Sequence, residues 1–288
     1  MKQIILSLLF LMLITGTATA QSAPFKLGSM QVFPLLDAQG KSPASLLVGA
    51  TEEQVAQYVP EGELRSQILA FLVKISDQNF LFDTGLGTAR GGKVMDALKA
   101  LDVSPSDIDA VFLTHLHMDH VGGLTDANGK AIFSKAEVYV SRVEREWWCE
   151  EQKDKNIIKA FAPYEGRLRV FEFGESPLPG ITAIDASGHT PGHTVFHVRA
   201  GEGELLVIGD ILHFAEIQLP LPQIAVKYDT CQEKAPKARK YILDMAADKK
   251  IPVAGMHCPF PGLWCIAKKS GGGYEASRAT QENQVRPF

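Results

Sequence analysis

Four potential metal ligands lie within the segment THLHMDHVGG, residues 114–123: His115, His117, Asp119 and His120. The chain has only 8 histidines, and this spacing fits neither a helical nor a strand periodicity. Imidazole nitrogens and carboxylate oxygens are donors that zinc takes in catalytic sites, and iron, manganese and cobalt accept them less selectively. The segment therefore predicts a metal-binding loop.

Three more donors follow apolar, strand-like segments further along the chain. His189 comes after ITAIDASG, Asp210 after LLVIG and His257 after IPVAGM. Strand ends that share one edge of a sheet can bring their loops together, so we expect these side chains to join the 115–120 cluster. A set this large exceeds the tetrahedral shell of one zinc ion and predicts two divalent cations, with Asp210 as the natural bridge because a carboxylate has two oxygens.

Two cations at roughly 3.5–4 Å can lower the pKa of a shared water towards about 7 and polarise a substrate oxygen. The predicted reaction is therefore hydrolysis, in which a shared hydroxide attacks a carbonyl or phosphoryl centre. Asp119 or His213 is expected to move the proton to the leaving group. For His213, a role as a partner of the metal ligands or a purely structural role stays open.

The remaining candidates carry weaker signals. His193 and His197 are interpreted as packing or loop residues. Core packing is favoured for any single aromatic side chain, but several could line an ester- or lactone-sized pocket: Phe80, Phe82, Phe214, Phe260 and Trp264. Phe260 and Trp264, which follow His257, are the best candidates for the lining.

Short strands alternate with helices along the chain. The predicted strands cover 68–75, 79–85, 109–114, 137–141, 167–173, 180–186, 194–200, 205–209 and 251–256. Thr51 to Gln54 has the form of a capping box and predicts a short helix. The spacing of apolar residues and the propensities predict further helices over 92–101, 142–152 and 233–250. This mixture indicates an α/β or α+β sandwich.

The overall composition excludes some partners. The chain has 288 residues, 45% hydrophobic residues and a formal net charge of −4. No basic run occurs, so nucleic acid and anionic membranes are not expected as partners. A small-molecule substrate is the predicted partner, and a homodimer is left open.

The first 20 residues, MKQIILSLLFLMLITGTATA, have a cation at Lys2, an apolar run from Ile4 to Ile14 and then small residues. This arrangement predicts a secretory signal that is cleaved before Gln21, and thus a periplasmic or secreted protein without a membrane anchor. The alternative, a membrane anchor, needs roughly 20 apolar residues, and this run is shorter. A single domain is predicted over 21–288.

Four cysteines remain in the predicted mature chain: Cys149, Cys231, Cys258 and Cys265. In an oxidising compartment they could pair as disulfides, and the sequence does not choose among the possible pairings. Buried free thiols are an equal alternative, because a chain of this length needs no disulfide to fold.

The sequence resembles the metallo-β-lactamase superfamily over essentially the whole mature chain. The matching segments run in order: FDTG (82–85), THLHMDHVGG (114–123), SGHTPGH (187–193), IGD (208–210) and GMH (255–257). The resemblance implies a four-layer αββα sandwich with the metals at one edge of its two sheets. It assigns His115, His117 and His189 to one metal.

The same resemblance assigns Asp119, His120 and His257 to the second metal and makes Asp210 the bridge. It makes Asp83 a supporting acidic residue rather than a direct ligand.

Within that superfamily, the segments GDILHFAEIQLP (209–220) and AGMHCPFPGLW (254–264) resemble the methyl parathion hydrolase branch, which is near the quorum-quenching lactonases. True β-lactamases generally differ at the bridging aspartate, and glyoxalase II enzymes carry a C-terminal glutathione-binding segment that this chain lacks. Lactonases often have a tyrosine three residues after the bridge, where this chain has His213. The expected substrates are therefore esters, lactones or phosphotriesters.

Three alternatives stay open at this point. The first is β-lactam hydrolysis on the same scaffold. The second is an iron-dependent oxidoreductase, which would hold a single iron with fewer donors. The third is a non-catalytic binding protein, which predicts degraded ligands, although none of the seven is degraded.

Overall fold

The computed structural model describes residues 24–280. The predicted signal peptide, residues 1–20, lies outside the described residues, and the single domain over 21–288 stays a prediction. No helix within residues 24–280 is both long and apolar enough to cross a membrane.

Residues 24–280 contain fifteen strands. In chain order they are β1 Phe25–Leu27, β2 Met30–Pro43, β3 Leu47–Val48, β4 Glu63–Ile75, β5 Gln78–Phe82, β6 Ala110–Phe112, β7 Glu137–Ser141, β8 Leu168–Phe171, β9 Ile181–Asp185, β10 Thr194–Ala200, β11 Gly203–Gly209, β12 Ala225–Val226, β13 Val253–Gly255, β14 Leu263–Lys268 and β15 Tyr274–Arg278.

The helices are mostly short and connect these strands. The α-helices are α1 Glu52–Tyr58, α2 Val94–Ala100, α3 Met118–Val121, α4 Arg142–Glu146, α5 Lys155–Phe161, α6 Ala215–Gln218 and α7 Lys234–Lys249. Helix α4 continues as a π-helical turn, Trp147–Glu151. Single 3₁₀ turns span Ala44–Leu46, Thr88–Arg90, Pro105–Asp107, Gly122–Leu124 and Ala162–Tyr164.

Two large sheets face each other. The first has the strand order β1-β2-β4-β5-β6-β7-β8, and the second has the order β15-β14-β13-β11-β10-β9. Strands β5 to β8 run parallel, as do β11 and β13. The carboxyl ends of β5 and β6, and those of β11 and β13, therefore each share one edge of their sheet, where α/β proteins place their sites.

The layers are held by three apolar clusters. Phe71, Phe112 and Phe196 belong to the cluster between the two sheets. Leu98 of α2 packs in a second cluster on the outer face of the first sheet, and Ile242 of α7 packs in a third on the outer face of the second sheet. The predicted four-layer αββα sandwich is confirmed.

Most predicted elements are present, with shifted ends. The capping box at Thr51 forms as expected, because its hydroxyl accepts from the Gln54 N–H and the Gln54 side chain accepts from the Thr51 N–H. Strand β5 ends at Phe82 because Asp83 has φ +59°, which extended backbone does not adopt. Residues 142–152 form one helical segment, as predicted, in two helix types.

The N-terminal and C-terminal strands were not predicted. Strand β2 spans Met30–Pro43 and pairs along its length with β4, which begins at Glu63 rather than at residue 68. The outer halves of these two strands are partly exposed, so they lack the apolar run that marks a buried strand. Beyond them, the β3 and β12 pair and α1 pack on a small cluster that includes Phe214 and Val226.

Candidate metal centre

The predicted ligands lie in the segments that follow strands of the two sheets. His115 and His117 follow β6, and His117 is also the N-cap residue of the short helix α3, which carries Asp119 and His120. His189 lies between β9 and β10, while Asp210 and His257 follow β11 and β13. The structure brings all seven predicted donors together.

The first group of donor atoms comes from His115, His117, His189 and Asp210, and these atoms lie within 4.8 Å of one another. Nδ1 of His117 lies 3.0 Å from Nε2 of His115 and 2.9 Å from Nε2 of His189. Oδ2 of Asp210 is 3.2 Å from Nε2 of His189. These are nitrogen and oxygen donors around one small volume, as a divalent cation requires.

The second group consists of Asp119, His120 and His257. Oδ2 of Asp119 lies 3.6 Å from Nε2 of His120 and 3.5 Å from Nε2 of His257. Asp210 connects the two groups, because its Oδ1 lies 3.2 Å from Nε2 of His120 and its Oδ2 lies 3.2 Å from Nε2 of His189 and 3.1 Å from Nε2 of His257. Its carboxylate therefore contacts donors of both groups, as a bridging carboxylate must.

Partners on the far side of the rings fix which nitrogen faces the centre. Nδ1–H of His120 donates to Oδ2 of Asp83 at 2.8 Å, and Nδ1–H of His189 donates to Oδ1 of Asp229 at 2.9 Å. Nδ1–H of His257 donates to the carbonyl oxygen of Gln67. Such bonds hold a ring in one orientation and leave its Nε2 lone pair free for a cation.

A fourth ring is held through a hydroxyl. The Thr114 Oγ1–H donates to Oδ2 of Asp83 at 2.8 Å, so its oxygen can accept from Nδ1–H of His115 at 3.1 Å. Asp83 also accepts from the Thr114 N–H. Asp83 thus orients one histidine of each group and is placed as a supporting residue, as the sequence indicated.

Two buried atoms without hydrogen-bond partners indicate that the donor set fits a divalent cation. Within residues 24–280, His120 Nε2 and Asp210 Oδ1 are buried without a hydrogen-bond partner, although they are 3.2 Å apart. A lone pair on each of two facing atoms repels unless positive charge lies between them, and burying unsatisfied polar atoms is costly. Both atoms would be satisfied by a cation.

The ionisation of the cluster also favours the binding of a cation. Burial alone would lower the pKa of His189, but the hydrogen bonds and charges of Asp210 and Asp229 raise it to about 9. Burial disfavours ionisation of Asp210, yet the surrounding histidines, His120 first, hold its pKa well below the usual range. The buried carboxylate stays ionised and attracts cations.

The sequence model of the metallo-beta-lactamase superfamily matches this chain over residues 64–267, which is well over half of the chain. The chain belongs to the metallo-beta-lactamase superfamily. It is a metallo-hydrolase of that superfamily, and its His and Asp groups are suited to metal binding.

Curated relatives align with part of the chain. The probable metallo-hydrolase YqgX of Bacillus subtilis (strain 168) is 24% identical over 54% of this chain and 69% of its own length. An N-acyl homoserine lactonase of Bacillus cereus is 22% identical over 52% of this chain, which spans 65% of that enzyme.

Solved structures align with most of this chain. The hydrolase AbOPH of the beta lactamase superfamily has a TM-score of 0.82 and 29% identity, covering 90% of this chain and 97% of its own. AidC, a dizinc quorum-quenching lactonase, has a TM-score of 0.81 and 26% identity, covering 89% and 97%. The predicted superfamily is confirmed, with quorum-quenching lactonases and a hydrolase among its structural neighbours, and the methyl parathion hydrolase branch stays a prediction.

A cavity of ≈ 350 Å³ opens over the donor cluster. Its walls mix hydroxyl, apolar and imidazole groups: Ser42, Ser66, Ile68, His117, Met118, Asp119, His189, Asp210, His213, Phe214, Tyr228 and His257. No lysine or arginine is among these described lining residues. The walls therefore combine polar groups with apolar surface, as small-molecule sites do.

The core packing favoured for any single aromatic candidate is confirmed for Phe80 and Phe82, whereas Phe260 and Trp264, the two candidates singled out for the lining, do not reach it. Phe214 lines the cavity, whereas Phe80 and Phe82 pack between the sheets. Phe260 is 40% exposed and lies outside the lining, and Trp264 packs in the outer cluster of the second sheet. The loop after His257 is tied to β4, since the Phe260 N–H donates to Oε1 of Gln67. Trp264 lies beyond this loop, in β14.

The three remaining histidines have distinct surroundings. His193 is fully buried, and its Nε2 accepts the backbone N–H of Asp210 at 3.0 Å, so this packing residue also orients the bridge. His197 pairs with Glu204 on the sheet. His213 reaches the centre, with its Nε2 3.1 Å from Oδ2 of Asp210, and burial lowers its pKa to about 4.

Several residues of the centre carry no local sequence signal. Asp229 and Tyr228 lie in the turn after β12, Ser42 and Ser66 lie on the β2 and β4 ribbon, and Glu144 lies in α4. Only the convergence of distant segments makes them part of the site. All four cysteines are free thiols, and Cys258 is buried.

Proposed function

We propose that this chain is an exported, dinuclear, zinc-dependent hydrolase of neutral esters, lactones or phosphotriesters. The observation that carries the proposal is the position of Asp210, whose carboxylate lies between two groups of histidine and carboxylate donors and contacts both. One bridging carboxylate between two such groups is the arrangement of two-metal hydrolases. The signal-like residues 1–20 support a periplasmic or secreted location.

His115, His117 and His189 would hold one ion, and Asp119, His120 and His257 the other. Two divalent cations bound here would supply an activated water and polarise the carbonyl or phosphoryl oxygen of the substrate. Phe214, Ile68 and Met118 would pack against the apolar part of the substrate.

Proton movement falls to side chains of the chain itself. Because burial lowers its pKa to about 4, His213 is neutral near pH 7, so it must first take the proton that the attacking water loses. Its Nε2 lies at the cavity wall, 3.1 Å from Oδ2 of Asp210. We assign it the delivery of a proton to the leaving oxygen. Asp119, whose side chain is 27% exposed at the cavity, is the second candidate for moving a proton.

The described lining residues include no lysine or arginine that would bind the carboxylate of a β-lactam antibiotic, so we favour a lactone or ester. The relatives point the same way, since AidC is a lactonase. The iron-dependent alternative is addressed by metal analysis: one iron per chain would support oxidation, and two zinc ions would support hydrolysis.

The deciding experiment combines a substrate screen with one variant. Purified, zinc-loaded protein is assayed on lactones, aryl esters, phosphotriesters and β-lactams, and we expect turnover of neutral substrates. Asp210→Ala should lose about half or more of the bound metal and nearly all turnover. Full metal content together with full turnover in Asp210→Ala would refute the dinuclear mechanism.

A further inference from the structure

His117 is held differently from the other histidines of the cluster. His115, His120, His189 and His257 each use Nδ1 for an orienting hydrogen bond and turn Nε2 towards the centre. His117 instead turns its Nδ1 to the centre, 2.9–3.0 Å from its neighbours. Its orientation must come from other contacts.

Those contacts lead to one buried carboxylate. The ring of Trp148 meets the ring of His117 edge to face, with centroids 5.5 Å apart at 77°. The indole Nε1–H of Trp148 donates to Oε1 of Glu144 at 2.7 Å, and the same oxygen accepts the backbone N–H of Leu116 at 3.0 Å. Glu144 therefore fixes both the backbone before His117 and the ring beside it.

The other oxygen of Glu144 reaches the second ligand loop. Oε2 accepts the backbone N–H of Gly192 at 2.8 Å, in the segment between His189 and His193. The approach needs a glycine, because a Cβ on Gly192 would lie 2.2 Å from the backbone nitrogen of Glu144. The Ser141 hydroxyl adds a parallel tie by donating to the carbonyl oxygen of Gly192.

Glu144 is an unusual carboxylate for a structural tie. It is fully buried and forms no salt bridge among the described residues; it accepts from three N–H groups, and the Thr190 side chain lies beside it. Burying a carboxylate without a countercharge costs free energy. A neutral side chain could connect α4 to this loop with a smaller loss of solvation free energy. The burial of a carboxylate here therefore indicates a role at the metal centre.

We propose that Glu144 is a positioning residue of the metal centre, which sets the place of His117 and His189 through the backbones of Leu116 and Gly192 and through the ring of Trp148. Glu144 contacts no donor atom itself. The inference rests on the proposed function, because it concerns how the chain arranges the first group of metal ligands.

The test variant is Glu144→Gln, which keeps the size of the side chain. Its amide NH₂ must face either the Leu116 and Trp148 donors or the Gly192 N–H, so one tie becomes a contact between two donors. Leu98→Ala is the matched control, since Leu98 is fully buried in α2 and lies in the outer cluster, away from the centre. It lowers stability without touching any of these hydrogen bonds.

The measurement is the zinc affinity of the full-length protein, obtained by competition with a chromogenic chelator, together with the visible spectrum of the cobalt-substituted form. In Glu144→Gln we expect one ion to bind about 10–100-fold more weakly while the other binds within about twofold of wild type. The cobalt bands of one site should shift. Leu98→Ala should lower Tm and leave both affinities and the spectrum unchanged.

Glu144→Gln with both affinities and the cobalt spectrum of wild type would overturn the inference, as would an equal loss in Leu98→Ala. If Glu144→Gln does not fold, Trp148→Phe replaces it, and the same ion should weaken by a smaller factor because only the indole N–H is lost. Wild-type affinities in Trp148→Phe would then refute the inference. A wild-type protein that binds no divalent ion would instead refute the proposed function.

Discussion

The imidazole rings of His213 and His257 lie face to face, with centroids 5.1 Å apart and planes inclined by 15°. Nε2 of each ring is 3.1 Å from the same oxygen, Oδ2 of Asp210. His213 therefore lies as close to the bridging carboxylate as the predicted ligand His257 does. The two differ on the far side of the ring, because Nδ1 of His257 has the Gln67 carbonyl as its acceptor while Nδ1 of His213 has no partner among the described residues.

This difference predicts a chemical rather than a ligating role for His213. In His213→Gln we expect kcat to fall by about 10²–10⁴-fold, because a proton donor to the leaving oxygen is lost, and metal content to stay at the wild-type value. The loss should be larger for substrates with poorer leaving groups. His197→Gln, on β10 and paired with Glu204, is the control that should retain kcat. Loss of one ion in His213→Gln would make it a ligand and contradict this role.

The seven donors could be found from the sequence because chemistry restricts them to histidine and aspartate at strand ends. Their orienting partners could not. Asp229 is a single acidic residue in a turn, and the acceptor for His257 is a backbone carbonyl, that of Gln67, which no residue type reveals. Such partners are recognisable only once distant segments are in contact.

The same limit applies to the fold. Strands buried on both faces, such as residues 69–73 of β4, are apolar runs and were predicted. The β2 ribbon was missed because its outer half is exposed, yet it supplies Ser42 to the cavity. The pocket aromatics were chosen by residue type, and sheet packing rather than type decides that Phe82 faces the core.

The orienting carboxylate Asp229 yields a prediction for metal affinity. Asp229→Asn replaces the charged acceptor of His189 Nδ1–H by a neutral one, so the imidazole becomes a weaker donor to a cation. We expect the zinc affinity of one site to fall by about 10–100-fold and kcat to fall with metal occupancy. Chelator competition measures the affinity. Asp126→Asn, which alters a turn carboxylate that accepts from Asn128 and Lys130, should leave it unchanged.

Gly209 gives a test of how the bridge is held in place. Its φ is +51°, and a Cβ there would lie 2.6 Å from Nε2 of His193, the atom that accepts the Asp210 N–H. Gly209→Ala should therefore displace Asp210, lower the free energy of unfolding by more than about 1 kcal/mol and reduce kcat.

The control for this change is Gly49→Ala. Gly49 also has a positive φ, +85°, but nothing lies within 4 Å of a Cβ built there. It should show only the backbone cost, of about 1 kcal/mol, with wild-type kcat. Urea unfolding gives the free energy of unfolding of both variants, and steady-state kinetics gives their kcat. Together they distinguish backbone strain at the glycine from displacement of Asp210. Equal effects in the two variants would show that contact with His193 is unimportant.

Removal of metal should destabilise the protein because the donor cluster is buried. Asp210 and His115 are almost fully inaccessible, and Oδ1 of Asp210 and Nε2 of His120 have no hydrogen-bond partner within residues 24–280. An ion that binds only the folded chain stabilises it by about 4 kcal/mol when its free concentration is 1,000 times its Kd. Exhaustive chelation should therefore lower Tm by several degrees or more, and zinc should restore it, as scanning calorimetry would show. Asp210→Ala supplies the comparison, since its Tm should respond less to chelator and zinc than that of wild type. An identical Tm with and without chelator in wild type would mean that the folded chain holds no ion at this centre.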